Sequence, residues 1–478
     1  MDLTSPPSTL ALPRRQIAMS PYYGEPDFSS LAGRAPLDLV SVADLLRNAF
    51  VYAPHSIFEN FKLATFGFDP GHDLEESPSF RFPFPDDRKA LHQTDPSQDL
   101  VGAYHRLLCD ALGRSCDGMR SPWLLQSGGK DSTSLAIAAS DVRPDVTCIT
   151  YLGGREEDEI DSARSVATSL GLRHQALVCD PGRAYDRYLD LIPSMPLLTA
   201  DFATLSYADL ATEIAGAGGD GVVDGLGSDC YFGTPASALH KLISRMACRL
   251  PLPRSMVDMP LVDRSFALCF GLATLQMDHV ERIFPGSRFL DSEVDALFGY
   301  PISSRSRERL ETFRPELDSA SSADELRAIA ITVEEATSAF AKGLYITNAL
   351  SLRAAYPFCD SLLRDWVYRQ VPADQMIDPE SRANKVLVRK HIRMRFDELP
   401  YVSKKGSFRF DLSGLAKCRY DAVYAFAEEA RDVLPGATKW LERNRSRLGN
   451  KYHASKFYLL AIVLPWIVMR GRDGESGR

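Results

Sequence analysis

The stretch Trp123-Leu124-Leu125-Gln126-Ser127-Gly128-Gly129-Lys130-Asp131-Ser132 decides the reading of this chain. Apolar residues run straight into two glycines, and Ser132-Thr-Ser-Leu-Ala-Ile-Ala-Ala139 follows with helical spacing. That order predicts a buried strand, a tight turn and a helix N-terminus. Adjacent glycines let successive N–H groups face one concavity. The first turn of a helix adds unpaired donors and the positive end of its dipole. Such a nest binds phosphate. Ser127 and Ser132 add hydroxyls, Lys130 a cation, and Asp131 a carboxylate suited to Mg²⁺. The Gly-x4-Gly-Lys-Ser/Thr spacing is missing, so this is not a Walker A loop. The competing reading is an ordinary strand-to-helix turn with serine caps.

Working outward, the chain alternates. Residues 146–151 read as a strand, 158–170 as a helix with Ile160, Ala163, Val166, Ala167 and Leu170 on one face, and 174–179 as the next strand. Residues 183–192 and 202–214 are helical, and Val222-Val223-Asp224-Gly225 is a short strand opening onto a second glycine turn. Strands alternating with helices mean an α/β fold with a parallel sheet covered on both faces. Ligands in such sheets sit beyond the carboxyl ends of the strands, where both glycine turns lie. From about 235 onward the chain reads as mostly helical. Upstream, residues 98–113 and 37–50 have helical spacing, while 66–98, with Pro70, Pro78, Pro83 and Pro85, has the composition of a linker. Residues 1–35 read as a poorly ordered arm or irregular lead-in. The expected division is 1–97 and 98–478.

Composition narrows the class. The chain has 478 residues, 45% hydrophobic and 25% charged, which suits an ordinary globular protein with a sizeable core. A net charge of −8 argues against broad nucleic-acid binding. Nine cysteines occur singly, without a Cys-x-x-Cys pair, so no zinc ribbon or thiol-redox motif is signalled. Their odd number suits a reducing cytosol, and the start Met1-Asp-Leu-Thr-Ser-Pro-Pro lacks signal-peptide features, so a cytoplasmic location is expected. The apolar run Phe457 to Met469 is short of the roughly 20 residues a membrane span needs and contains Pro465, so a buried C-terminal helix is expected.

The form Ser-Gly-Gly-x-Asp-Ser resembles the PP-loop of ATP pyrophosphatases. An ordered set of stretches is similar to the asparagine synthetase family, including β-lactam synthetase and lasso-peptide cyclase. The set comprises Leu45-Leu46-Arg47-Asn-Ala-Phe-Val-Tyr-Ala-Pro-His-Ser-Ile-Phe-Glu59, the phosphate loop, Asp158-Glu159 through Leu170-Gly171 to His174, and Val223-Asp224-Gly225-Leu226-Gly227-Ser228-Asp229-Cys230-Tyr231-Phe232-Gly233. It continues with Tyr356-Pro-Phe-Cys-Asp360, Lys385-Val-Leu-Val-Arg389, Leu399-Pro400, Lys404-Lys405-Gly406-Ser-Phe408, and the C-terminal apolar helix with Trp466. The resemblance runs from about 40 to 470. It implies an adenine nucleotide α-hydrolase-like sheet, a mostly helical C-terminal part, and a remnant of the family's glutaminase domain within 1–97.

The implied chemistry is attack of a substrate carboxylate on the α-phosphorus of ATP, release of pyrophosphate, and displacement of AMP by a nitrogen nucleophile. The substrate would be a small molecule or peptide of specialised metabolism, and the nitrogen would come from ammonia, an amine or a separate donor protein. Nucleotide contacts are implied for Ser127, Gly128, Gly129, Lys130, Asp131, Ser132, Gly227 and Lys385, and Mg²⁺ ligation for Asp131 and Asp229. The competing reading of Asp229 is a helix cap, and that of Lys385 and Arg389, as against pyrophosphate contacts, is a solvated helix face. Lys405 matches the lysine before the family's mobile loop, which offsets developing charge, although paired lysines are also common on surfaces.

Departures matter as much. Asp2 follows Met1 where the family's mature glutaminase begins with a cysteine nucleophile, so glutamine-derived ammonia made by this chain is not expected. Gln126 replaces a leucine, which changes the implied adenine pocket, and Cys230 replaces a glutamate. Arg353 stands where a glutamate handles the amine, four residues before Pro357-Phe358, and an arginine is no base at neutral pH. Arg353 is therefore expected to line the acceptor side and anchor a substrate anion, with Glu334 and Glu335 as weak stand-ins for the base. Two other classes compete: a tRNA-modifying PP-loop enzyme, for which neither a basic RNA-binding region nor paired cysteines are visible, and an inactive partner subunit with the same fold.

Overall fold

Seven strands and thirteen principal helices set the frame of the site in the computed structural model, which describes residues 16–31, 36–86, 99–153, 157–238, 241–242, 259, 262–284, 288–398 and 410–472. In chain order they are β1 (Gln16–Ala18), α1 (Leu39–Asn48), β2 (Lys62–Ala64), α2 (Leu100–Ser115), β3 (Pro122–Leu125), α3 (Lys130–Val142), β4 (Thr147–Leu152), α4 (Glu157–Ser169), β5 (Arg173–Val178), α5 (Pro181–Leu191), α6 (Thr204–Gly216), β6 (Gly221–Val223) and α7 (Asp229–Phe232). After several short helices come α8 (Ala323–Thr337), α9 (Ala339–Ala349), β7 (Arg353–Ala355), α10 (Ser361–Gln370), α11 (Val386–Arg393), α12 (Leu412–Glu429) and α13 (Lys451–Arg472).

Five strands form one parallel sheet in the order β5-β4-β3-β6-β7. The phosphate-loop strand is central: Leu124 lies between Cys148 and Val223. Successive residues of β3 face opposite layers, as the period of two requires. Trp123 joins a core with Ile149, Val222, Leu205 and Leu210, while Leu124 joins another with Leu135, Ile137, Cys148 and Val223. Helices cover the inner strands β3, β4 and β6, which are largely buried, while the edge strand β5 is mostly exposed and mixed in composition. Elements 98–113, 146–151, 158–170, 174–179, 183–192, 202–214 and 222–225 match the expected ones to within a few residues. β7 was not expected in the helical C-terminal part, because Arg353-Ala-Ala is too short and too mixed to carry a strand pattern.

The C-terminal helix is longer than the apolar run that announced it. Lys451–Arg470 is long and apolar enough to cross a membrane by length and composition, and 94% of its most apolar window is buried inside the fold.

Two expectations about the first hundred residues are corrected. The described part of the lead-in is packed: β1 pairs in parallel with β2, Ile17 and Met19 are buried, and Tyr22 stacks on Phe66 with ring centroids 3.9 Å apart. The described part of the proline-rich stretch is irregular but no loose linker, since Phe66, Phe68, Phe80, Phe82 and Phe84 are all buried. Their rings meet Phe313 and Tyr368, at 5.2 Å for Phe80–Phe313 and 4.9 Å for Phe84–Tyr368. Proline sets the backbone path while aromatic area supplies the burial. Both hydrophobic cores draw on residues from either side of the expected 97/98 division.

Candidate active site

Two strand ends meet here. At the end of β3, the Ser127 and Ser132 hydroxyls brace the glycine turn. Ser132 Oγ donates to the Ser127 carbonyl at 2.9 Å and accepts from the Ser127 N–H at 3.2 Å, while Ser127 Oγ accepts from the Gly129 N–H at 3.3 Å. Thr133 Oγ1 closes the turn on the Gly129 carbonyl at 2.8 Å. Gly129 is the extended residue that precedes α3 and offers no side-chain cap. The first-turn N–H groups at Lys130 and Asp131 therefore have no intrahelical partner and face outward with the positive end of the helix. Among the described residues the Lys130 ammonium makes no hydrogen bond or ion pair; burial lowers its proton affinity, with Lys385 and Arg389 adding to this and Asp131 and Asp229 only partly offsetting it.

At the end of β6, the second turn brings Ser228 and Asp229 to the same place. Gly227 adopts φ +107°, and a methyl group there would lie 2.6 Å from Cys359 Sγ, so glycine is required by conformation and by space. Lys385 joins the two turns. Its Nζ donates to Asp131 Oδ1 at 2.8 Å, Ser228 Oγ at 2.7 Å and Asp229 Oδ1 at 2.6 Å. The side chain is 1% exposed, so the interaction is poorly screened. Burial acts against the charge, but Asp131 and Asp229 outweigh it and hold Lys385 protonated more firmly than usual. Lys385 has φ +56°, a left-handed conformation that costs a non-glycine residue about 1 kcal/mol or more, held just before the first turn of α11. The solvated-face reading of Lys385 is thus corrected.

One cation touching both carboxylates means that Asp131 and Asp229 are close enough to share a divalent ion. The donors are all hard oxygens, which fits Mg²⁺. A nucleotide also fits. The Gln126 amide, 2% exposed at the end of β3, has neither its oxygen nor its nitrogen hydrogen bonded. A nucleobase edge supplies one donor and one acceptor for such an orphan.

The acceptor side is built differently from the expectation. Arg353 begins β7, paired with Gly221 at the amino end of β6, and its guanidinium binds Glu25 Oε1 at 3.0 Å and the Asp117 carbonyl. The structure does not bring Arg353 to the carboxyl ends of the strands, because its strand starts two residues too early for the side chain to reach them. Pro357-Phe358 open a short helical turn just after β7, and Asp360 caps α10. Of the two proposed stand-ins, Glu335 is the one that feels the charges of the site. Its electrostatic neighbours include Asp229 and Lys385, whereas those of Glu334 include Arg327 and Asp201. Burial and Asp229 push Glu335 up to about 8. Tyr22 also reaches in, its hydroxyl on the Gly227 carbonyl and 3.0 Å from Cys230 Sγ. Ser228, Tyr22 and Cys359 carried no sequence signal of their own beyond adjacency to the motifs. Lys405 lies outside the described residues, as does Leu399-Pro400.

A parallel sheet with glycine turns at two adjacent strand ends, one opening a helix and both carrying a carboxylate, defines the class: an α/β enzyme of the PP-loop type that handles ATP. The family model described as asparagine synthase matches residues 103–418, from α2 into α12, and the chain belongs to that family. It is accordingly an ATP-dependent amide ligase of the asparagine synthetase type. No curated protein matches the chain.

Proposed function

We propose that this chain adenylates a substrate carboxylate, releasing pyrophosphate, and passes the acyl group to ammonia or an amine, in the making of a specialised small molecule or peptide. The observation that carries this reading is the convergence of Asp131 and Asp229 on Lys385, beside the open first turn of α3. A polyphosphate binds where N–H donors, Lys130 and Lys385 face one another, and Gln126 takes the base. Asp131 and Asp229 would hold Mg²⁺, which when bound neutralises charge on the departing pyrophosphate. The carboxylate oxygen forms a bond to the α-phosphorus as the bond to the bridging oxygen breaks. The nitrogen then attacks the carbonyl carbon, the C–O bond to AMP breaks, and the nitrogen gives up a proton. Lys385 is held in place by Asp131, Ser228 and Asp229 before either step, and the Lys130 ammonium stands beside it to meet the polyphosphate.

The test is product analysis with the purified full chain, ATP, Mg²⁺ and a panel of candidate acids. AMP and pyrophosphate formed in an acid-dependent way support the reading. ADP and orthophosphate would overturn it.

A further inference from the structure

We propose that the cavity beside the helix Asp291–Phe298 is a binding site for a small monocarboxylate, with Arg288 as its anchor. The cavity has a volume of about 250 Å³. That is below the roughly 300–1,000 Å³ of pockets for drug-sized ligands and suits a small organic acid. Its walls come from α1 through Arg47, from the helix His279–Ile283 through Glu281, from the helix Asp291–Phe298 through Asp291, and from the helix Ser303–Glu308 through Arg307. Among the described residues, none of either glycine turn or of α11 lines it, so it stands apart from the ATP site. Ser292 is exposed and also lines the cavity, which marks the mouth.

The first argument is a buried cation without a counter-ion. Arg288 is 3% exposed, and among the described residues it has no ion pair. Its Nη2 donates to the Glu281 carbonyl at 2.6 Å and to Met277 Sδ, while its Nη1 has no hydrogen-bond partner. Burial lowers its proton affinity to about 10, which still leaves the charge in place at neutral pH. The other charged groups of the wall are already engaged. Arg47 binds Glu281, Asp291 Oδ1 at 3.1 Å and Ser306 Oγ at 2.8 Å, and Arg307 binds Asp291 Oδ2 at 2.8 Å. The second Glu281 oxygen accepts from the Asp278 N–H at 3.1 Å. Asp295 accepts from the Ile302 and Ser303 N–H groups, both at 2.9 Å, and from Ser303 Oγ at 3.1 Å. Arg288 is left over, and a cation withdrawn from water is costly unless a negative charge meets it.

The second argument is what fits. Water can satisfy an N–H but brings no charge. A carboxylate brings one negative charge and two acceptors spaced for a guanidinium. One oxygen meets Nη1. The other takes Nη2 from Met277 Sδ, a weak acceptor on an unbranched side chain that repacks readily. A dianion such as phosphate is disfavoured, because Glu281, Asp291 and Asp295 put three carboxylates around the same space. Phe289 and Leu290 also line the cavity and give the remainder of the acid an apolar wall.

The experiment is isothermal titration calorimetry of the full chain, with Tm shifts alongside, at constant ionic strength and without ATP. The probes are butyrate, benzoate, succinate and inorganic phosphate. Butyrate or benzoate is expected to bind one to one and to raise the Tm, with succinate and phosphate at least about tenfold weaker. Arg288→Met should abolish binding and, by removing an unpaired buried cation, should raise the Tm of the acid-free chain. Ser292→Trp changes the exposed mouth and leaves Arg288 in place. It should weaken binding at least about tenfold and leave the acid-free Tm as it was. Lys385→Ala should bind the probe as the native chain does, which separates this site from an acid bound for adenylation. Neither monocarboxylate binding by either measurement, affinity unchanged in both Arg288→Met and Ser292→Trp, phosphate binding as tightly as the monocarboxylates, or binding lost in Lys385→Ala would overturn the proposal.

Discussion

Lys385 holds the site together through three contacts, and each makes a distinct demand on the side chain. An arginine cannot place a point charge among Asp131, Ser228 and Asp229, because its fork is planar and longer. Lys385→Ala should lower turnover at least about a hundredfold, with Lys385→Arg rescuing little. Near-normal kcat in either would return Lys385 to a merely structural role. Gln126 makes the opposite kind of prediction. Its buried, unbonded amide costs the empty protein about 1–3 kcal/mol, so Gln126→Leu should raise stability while raising the KM for ATP about tenfold. Raised stability with an unchanged KM would mean that the amide meets no nucleobase. Of these two residues, Gln126 was visible as a departure from the family pattern, but not its burial without partners. Lys385 was visible as a family match at helical spacing with Arg389, which suggested a solvated face. The left-handed backbone that turns it inward depends on packing, and no residue type encodes it.

The two strand-turn-helix units were the most legible elements, because apolar runs ending in glycines have few other readings. What escaped was anything set by contact between distant segments. The aromatic stretch from Phe66 to Phe84 read as linker because its prolines dominate local pattern, while its burial depends on Phe313 and Tyr368 far along the chain. Arg353 was read as lining the acceptor side, yet the residue lies at the amino end of β7, and only the pairing with β6 reveals this. The second glycine turn offers a sharp test. Gly227→Ala meets both a left-handed φ and the Cys359 sulfur, and should destabilise the fold by about 2–3 kcal/mol. Adding Cys359→Ala should recover only the steric share. Full recovery in the double variant would show that φ at Gly227 is unstrained.

The molecule as a whole is sensitive to acid through histidines buried without charge. Burial, Arg309 and Lys62 push His55 from 6.5 down to about 2, and Lys62 Nζ lies 3.1 Å from its Nδ1. The unfolded chain binds the extra proton first. Stability from this group is therefore complete above about pH 6.5 and is lost as pH falls toward the folded value, by up to about 1.4 kcal/mol per unit. His55→Gln should flatten the stability–pH curve between pH 6.5 and 4 in urea denaturation, and an unchanged slope would place the loss elsewhere. The ATP chemistry has a more direct test. An acid that supports pyrophosphate release is labelled with oxygen-18 in its carboxylate and turned over with ATP, Mg²⁺ and an amine, and the AMP is examined by mass spectrometry. One labelled oxygen in the phosphate of AMP is predicted, because the carboxylate oxygen bonds to the α-phosphorus and stays there when the amide forms. Unlabelled AMP, or label only in orthophosphate, would contradict adenylation.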